Sequence, residues 1–217
     1  MSVASQITSL RASLPAGVTL VAVSKTHPVE LIMEAYNAGQ RIFGESRPQE
    51  MVAKHTTLPS DIQWHLIGHL QTNKVRMIAP FVSLVHSVDS AHLLRTIESE
   101  AVRASRRIDV LLEIFIAREE SKHGWAEDEL MDYITTGEPF IFNNIHIRGL
   151  MGIASNTDDA DVVGAEFSRL REFFDRLKNE HFKYPGFDTL SMGMTSDYES
   201  AIAHGSNMVR IGSMIFK

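Results

Sequence analysis

Apolar, β-branched-rich runs recur eight times along the chain: VTLVAVSK (18–25), RIFGES (41–46), IQWHLIG (62–68), SLVHSVD (83–89), IDVLLEIFIA (108–117), IHIRGLMGIAS (145–155), DTLSMGM (188–194) and NMVRIGSMIF (207–216). Between them lie stretches with helical spacing, among them PVELIMEAYNAG (28–39), SAHLLRTIESEAVRAS (90–105) and AEFSRLREFFDRLKNEHF (165–182). Most of these have their own start and stop signals. Gly39 follows the first, Pro28 and Pro48 suit first-turn positions, and Asp89 or Ser90 can cap the helix that follows the fourth run. Strand and helix alternate, which predicts parallel strands joined by crossover helices.

Eight such units fit an open doubly wound sheet or a closed barrel. The last run is the eighth strand, with no segment left for a helix behind it. The amphipathic N-terminal stretch, with Ile7, Leu10 and Leu14 at helical spacing, can take that vacant place. The expectation is an α/β fold: a (β/α)8 TIM-type barrel whose outer ring is completed by an N-terminal helix. No linker-like or low-complexity tract interrupts the alternation, so residues 1–217 are read as one domain.

Composition narrows the function classes. Hydrophobic residues make up 44% and charged residues 22% of the 217, ordinary values for a globular chain. A net charge of −6 gives no basic footprint for nucleic acid or an anionic membrane surface. The absence of cysteine removes disulfides, thiolate metal sites and cysteine nucleophiles. The start, MSVASQITSLRASLPAG, lacks the basic and apolar regions of a signal peptide, and no apolar run approaches a membrane span. A cytoplasmic monomer is the expectation, since no exposed apolar stripe stands out.

In such barrels the active site lies at the C-terminal ends of the strands. Lys25 stands there, ending a fully apolar first strand. A strand-end lysine is either a solvated charge or an amine able to form a Schiff base with a carbonyl ligand. At the ends of strands seven and eight, LSMGMTSDYESAIAHGSNMVRIGS combines small residues with the hydroxyls of Ser191, Thr195, Ser196 and Ser213. Small residues let backbone N–H groups approach an anion, and barrels often bind phosphate at these two loops. An amine and a phosphate site together suggest a phosphorylated aldehyde, and pyridoxal 5′-phosphate meets that description. Arg210 alternates with Val209 and Ile211, so it points inward and needs a partner, either a barrel carboxylate or something else.

Other polar residues have two readings each. His65 and His69 are four apart, a helical metal spacing, yet they sit in and after a strand. Gln71, Asn73 and Lys74 suit either the barrel rim or a solvated turn. The charged segment AREESKHG (117–124) suits a partner surface or a plain loop, and the scattered methionines read as packing.

Taken together, VAVSKTHP, FGESRPQE, WHLIGHLQTNK, VHSVDS, EESKHGW, IRGLMGIAS and LSMGMTSDYESAIAHGSNMVRIGSMIF resemble the pyridoxal-phosphate homeostasis proteins, also called the proline synthetase co-transcribed homologue family. The resemblance runs from about residue 18 to the last residue, in order. It implies the fold-type III barrel of the alanine racemase N-terminal domain, pyridoxal 5′-phosphate as cofactor, and a role in vitamin B6 homeostasis. It further implies that Lys25 is the Schiff-base lysine. Ser191, Met192, Gly193, Gly212 and Ser213 fall in the phosphate-binding segments, and Arg210 approaches the pyridine nitrogen, as an arginine does in alanine racemase. Pyridoxal-phosphate-dependent enzymes are the implied clients.

Three departures stand out. Ser46, Arg47 and Pro48 occupy the place of Asn-Tyr-Val, Phe115 that of an asparagine, and Asn207 that of a threonine. The alternative to a carrier is an amino-acid racemase using the same cofactor. Racemisation needs a base on each face of the substrate carbon. In alanine racemase the second base comes from a C-terminal domain, whereas this chain stops at Lys217 directly after the barrel. Cofactor holding rather than catalysis is therefore expected. A cofactor-free Schiff-base lyase is a more distant reading.

Overall fold

The computed structural model describes residues 2–118 and 123–216. Eight parallel strands close into a barrel in sequence order: β1 (Thr19–Val23), β2 (Ile42–Glu45), β3 (Gln63–Leu66), β4 (Leu84–Val88), β5 (Ile108–Ile114), β6 (Ile145–Gly152), β7 (Thr189–Ser191) and β8 (Met208–Ile211). The first and last strands pair with each other, Thr19 opposite Met208 and Ala22 opposite Ile211. The expected barrel is thus the observed one. Each strand is shorter than its apolar run because the final residues leave the ladder to form the loops at the mouth.

Helices surround the strands: α1 (Val3–Ser13), α2 (Val29–Asn37), α3 (Pro48–His55), α4 (Val75–Ile78), α5 (Ala91–Arg103), α6 (Glu127–Thr135), α7 (Ala160–Glu180) and α8 (Tyr198–Ala203). The N-terminal helix α1 buries Val3, Ile7 and Leu10 and lies beside α2, where the Ala4 N–H donates to Glu34 and Arg11 donates to the Gly39 carbonyl. Helix α7 begins five residues earlier than its apolar pattern predicts. The Asp159 carboxylate accepts from the N–H groups of Asp161 and Val162 and so sets its start. Ser90, not Asp89, caps α5, accepting from Leu93 N–H at 3.3 Å. Gln71 precedes a 3₁₀ turn over Thr72–Lys74 that leads into α4. No helix among the described residues is long and apolar enough to cross a membrane.

The interior of the barrel changes character along its axis. Val21, Leu84, Leu111, Met151 and Met208 pack together as one apolar layer. Inward positions recur every second residue, so the next layer toward the mouth holds Val23, His86, Glu113, Ile153 and Arg210. Three of those five are polar, and each of the three is buried. The larger core, including Phe43, Trp64, Phe167, Phe173 and Phe174, lies outside the barrel wall against the helices. His65 thus faces the opposite side from its neighbour Trp64, as strand alternation predicts.

One strand irregularity fixes the wall between β5 and β6. The register slips after Val110 so that Leu111 faces Gly149, and Arg148 turns outward to Asp109 and Asp188, each at 3.0 Å. Gly149 adopts φ 151°, and a Cβ there would lie 1.8 Å from the Thr189 carbonyl oxygen. No rotamer relieves a clash between two backbones. Gly149→Ala is expected to destabilise the fold by about 3 kcal/mol, measurable as a lower midpoint in urea unfolding.

Candidate functional site

Closure of the barrel sets the site. Since β1 pairs with β8, the residues leaving both strands come out side by side at the mouth. A cavity of about 470 Å³ opens there, lined by Lys25 and Val23 from the β1 end and by Arg210, Gly212 and Ser213 from the β8 end. Ser46, Ile67 and Ile153 add walls from β2, β3 and β6, and Met194, Thr195 and Ser196 come from the loop after β7. The size is that of a small-molecule pocket.

Lys25 is exposed, on a turn whose backbone is firmly held. Thr26 adopts φ 66°, uncommon for a non-glycine residue, and its N–H donates to Glu50 Oε1 at 2.6 Å. The anchor beneath is the side chain of Lys54, only 6% exposed. Its Nζ donates to the Ser24 carbonyl at 2.7 Å, to Glu45 Oε1 at 2.8 Å and to Glu50 Oε1 at 2.7 Å. Ser24 Oγ donates to the same Glu45 oxygen at 2.6 Å. Burial raises the Glu45 carboxyl, opposed by the hydrogen bonds from Lys54 and Ser24, and its Oε2 finds no partner among the described residues. Burial also acts on Glu50, but Lys54 and the Thr26 N–H outweigh it and hold that carboxyl below its ordinary value.

Arg210 is 4% exposed. Its Nη1 donates to the carbonyl and the hydroxyl of Ser191 at 2.9 and 2.7 Å, and its Nη2 donates to the Gly152 carbonyl at 3.0 Å. Neutral oxygens, rather than a barrel carboxylate, satisfy the guanidinium. Burial lowers it to about 10, partly offset by the charges of Glu113 and Asp197, so it stays a cation at neutral pH.

A buried chain of side chains runs back from this contact. Ser191 Oγ lies 3.1 Å from His86 Nδ1, and His86 Nε2 lies 3.0 Å from His65 Nδ1. Arginine can only donate, and His86 Nδ1 is the acceptor within reach of the Ser191 hydrogen among the described residues, so the hydroxyl is assigned as donor to His86 Nδ1. His86 then has its hydrogen on Nε2 and donates to His65. Burial pushes His65 down to about 3; burial, then His65 and Arg210, put His86 well below its usual value. Both rings are therefore neutral, and together they orient the hydroxyl that orients Arg210.

The residues expected on the phosphate side divide into two groups. Gly212 and Ser213 line the cavity together with Thr195 and Ser196. Ser191 and Met192 are fully buried. Ser191 is committed to Arg210, and the Met192 N–H donates to Ser206 Oγ at 3.4 Å. Gly193 forms the bend between these two groups. Its φ of 95° suits glycine, a Cβ there would meet Ala201 Cβ at 2.6 Å, and its carbonyl accepts the Arg210 N–H at 3.0 Å. His65 and His69 do not form a pair: His65 is in the interior, while His69 Nδ1 is 3.2 Å from Asp89 Oδ2 at the mouth. Of the segment AREESKHG, residues 119–122 lie outside the described residues.

The chain matches the family described as alanine racemase, N-terminal domain, over residues 2–217. It belongs to that family. Within the family it is similar to proteins named pyridoxal phosphate homeostasis protein. The relative from Vibrio alginolyticus is 38% identical over 209 residues, covering 93% of this chain and 87% of the relative. That from Aquifex aeolicus is 39% identical over 201 residues, covering 91% and 85%. Among solved structures, PipY of Synechococcus elongatus, determined with PLP bound, superposes with a TM-score of 0.90 at 37% identity over the whole of both chains. An alanine racemase of Clostridium difficile shares the fold alone, with a TM-score of 0.78 at 13% identity, and this chain covers 55% of it.

For a member of this family, Glu113 is the residue that sequence reasoning passed over. It sits in the apolar run VLLEIFIA, where an acidic residue on an interior strand was itself a signal. Glu113 is 6% exposed and lines a second cavity of about 240 Å³, which adjoins the first through Ile67 and Ile153. Burial, reinforced by Asp89 and opposed by Arg210, pushes its carboxyl up to about 7. The folded chain then binds a proton that the unfolded chain has already released, between about pH 4.5 and pH 7, so stability falls as pH rises through that window. Glu113→Gln should therefore gain stability relative to the native chain across this range, by about 3 kcal/mol at pH 8. The two proteins should converge below pH 4.5, as urea unfolding at a series of pH values would measure.

Proposed function

We propose that this protein binds pyridoxal 5′-phosphate, holds it covalently on Lys25, and serves vitamin B6 homeostasis in the cytoplasm as a one-domain monomer that supplies the cofactor to client enzymes. The observation behind this reading is a single cavity in which an amine, neutral hydroxyls and an inward arginine converge: Lys25, Thr195, Ser196, Ser213 and Arg210. The names of the relatives and the PLP bound to PipY support it.

The residues present fit the group. A phosphorylated aldehyde needs donors for its phosphate, and the three hydroxyls provide them without a counter-charge, beside the close backbone approach at Gly212, where a Cβ would lie 2.9 Å from the Val23 carbonyl oxygen. When bound, pyridoxal phosphate supplies an aldehyde that condenses with a primary amine, losing water. Lys25 is the primary amine of this cavity. Val23, Ile67 and Ile153 offer apolar walls for a ring. Arg210, fixed by Ser191, His86 and His65, can only donate hydrogen bonds, so next to a pyridine nitrogen it favours the unprotonated form. An unprotonated ring is a weaker electron sink. That suits holding the cofactor better than reacting through it.

Reduction of the cofactor-loaded protein with borohydride, followed by peptide mass spectrometry, should place the cofactor on Lys25. Lys25→Ala should lose this label while keeping its fold and weaker, noncovalent cofactor binding. Labelling of another lysine, such as Lys74, at native yield would refute the assignment.

A second measurement separates holding from turnover. With saturating cofactor, conversion between L- and D-alanine, serine or proline should not exceed that of the Lys25→Ala protein. Racemisation that depends on Lys25 would make the chain an enzyme of the racemase type.

A further inference from the structure

Three loops meet at the mouth beside the second cavity, and each brings one metal-binding side chain. His69 follows β3, Asp89 follows β4 and His123 follows β5. One ligand atom from each lies within 4.8 Å of the other two. His69 Nδ1 is 3.2 Å from Asp89 Oδ2, and the rings of His69 and His123 stack with centroids 4.2 Å apart at 19°. Donors around a zinc-type ion stand about 3.3 Å from one another at metal–ligand distances of about 2.0–2.2 Å. The 4.8 Å bound exceeds that spacing by about 1.5 Å, the movement that metal binding would ask of these side chains.

The loops are tied together independently of these side chains. Ser87 Oγ donates to the Gly68 carbonyl at 2.6 Å, next to His69 and two residues before Asp89. Trp125 Nε1 donates to the Val88 carbonyl at 3.0 Å, next to Asp89 and two residues beyond His123. The Trp125 backbone also pairs with β5, its N–H donating to Glu113 O at 2.7 Å and its carbonyl accepting from Phe115 N–H at 2.9 Å. The cluster is held from both sides.

A second, separate observation points to a cation. Glu113 lines the same cavity as His69 and His123, is 6% exposed, and makes no side-chain hydrogen bond among the described residues. A buried carboxyl without a donor calls for a proton or a positive charge. The cation that already acts on it, Arg210, gives its hydrogen bonds to Ser191 and Gly152 instead. Asp89 adds a second negative charge on that side. We propose that His69, Asp89 and His123 form a binding site for a divalent cation of the zinc type, with Glu113 as the buried carboxyl that faces it. Two imidazoles and a carboxylate suit zinc and its first-row neighbours and disfavour calcium and magnesium, which take oxygen donors. The site is distinct from the Lys25 cavity and does not depend on the cofactor reading.

The test uses the full chain, stripped with a chelator and free of pyridoxal phosphate, titrated with zinc alone by calorimetry and with cobalt alone by visible absorption. One equivalent of zinc and a ligand-field band for cobalt are expected. His69→Ala and His123→Ala should each weaken zinc binding at least ten-fold and remove the band, and Glu113→Gln should weaken it by a smaller factor. His181→Ala, at the C-terminal end of α7, should leave both unchanged. Melting in chelator should be the same for the native chain and the two histidine variants. No stoichiometric binding, or native-strength binding in both variants, would overturn the proposal, the latter assigning zinc to other histidines.

Discussion

Pairing of β1 with β8 is the constraint on which the site rests. Four registered pairs, Thr19–Met208 to Ala22–Ile211, join the two ends of the sequence. Without them Lys25 would end an edge strand, far from Arg210, Gly212 and Ser213. With them, residues from the first and last strands share one cavity wall. The N-terminal helix α1 packs from outside beside α2, burying Val3, Ile7 and Leu10.

The second organising fact is the change of layer inside the barrel. Below, the inward side chains are apolar and fill the barrel. One pleat higher they become His86, Glu113 and Arg210, with His65 and Ser191 between them. Polar groups so deeply buried must satisfy one another. Arg210, Ser191, His86 and His65 do so in a line; Glu113 is left out of it, and its ordinary acidity shifts toward neutrality as a result. The two cavities at the mouth stand over the two ends of this layer.

Much of this was legible in the sequence. Eight runs and their intervening helices gave eight strands, and the leftover N-terminal amphipathic stretch gave α1. Period-two alternation correctly turned Arg210 inward and His65 away from Trp64. Alternation says which face a residue takes, not what it meets across the barrel. That is why Ser191, read as a hydroxyl toward the cavity, lies beneath Arg210, and why His65 pairs with His86 on the next strand rather than acting with His69. Helix starts set by single carboxylates, as at Asp159, also escape a reading built on apolar spacing. Glu113 was in plain view, one acid in a run of aliphatics, yet its significance depends on neighbours that only the closed barrel brings near.

Anchoring the Lys25 turn through Lys54 and Glu50 has an entropic consequence. The backbone on either side of Lys25 is already fixed, while its side chain stands exposed with four methylenes free to rotate. Whatever binds that amine therefore immobilises one side chain, roughly 2 kcal/mol of rotamer freedom, on a turn whose backbone is already held. The ordering cost of any contact to that amine is thus confined to one side chain, on a backbone that the Lys54 and Glu50 contacts already hold.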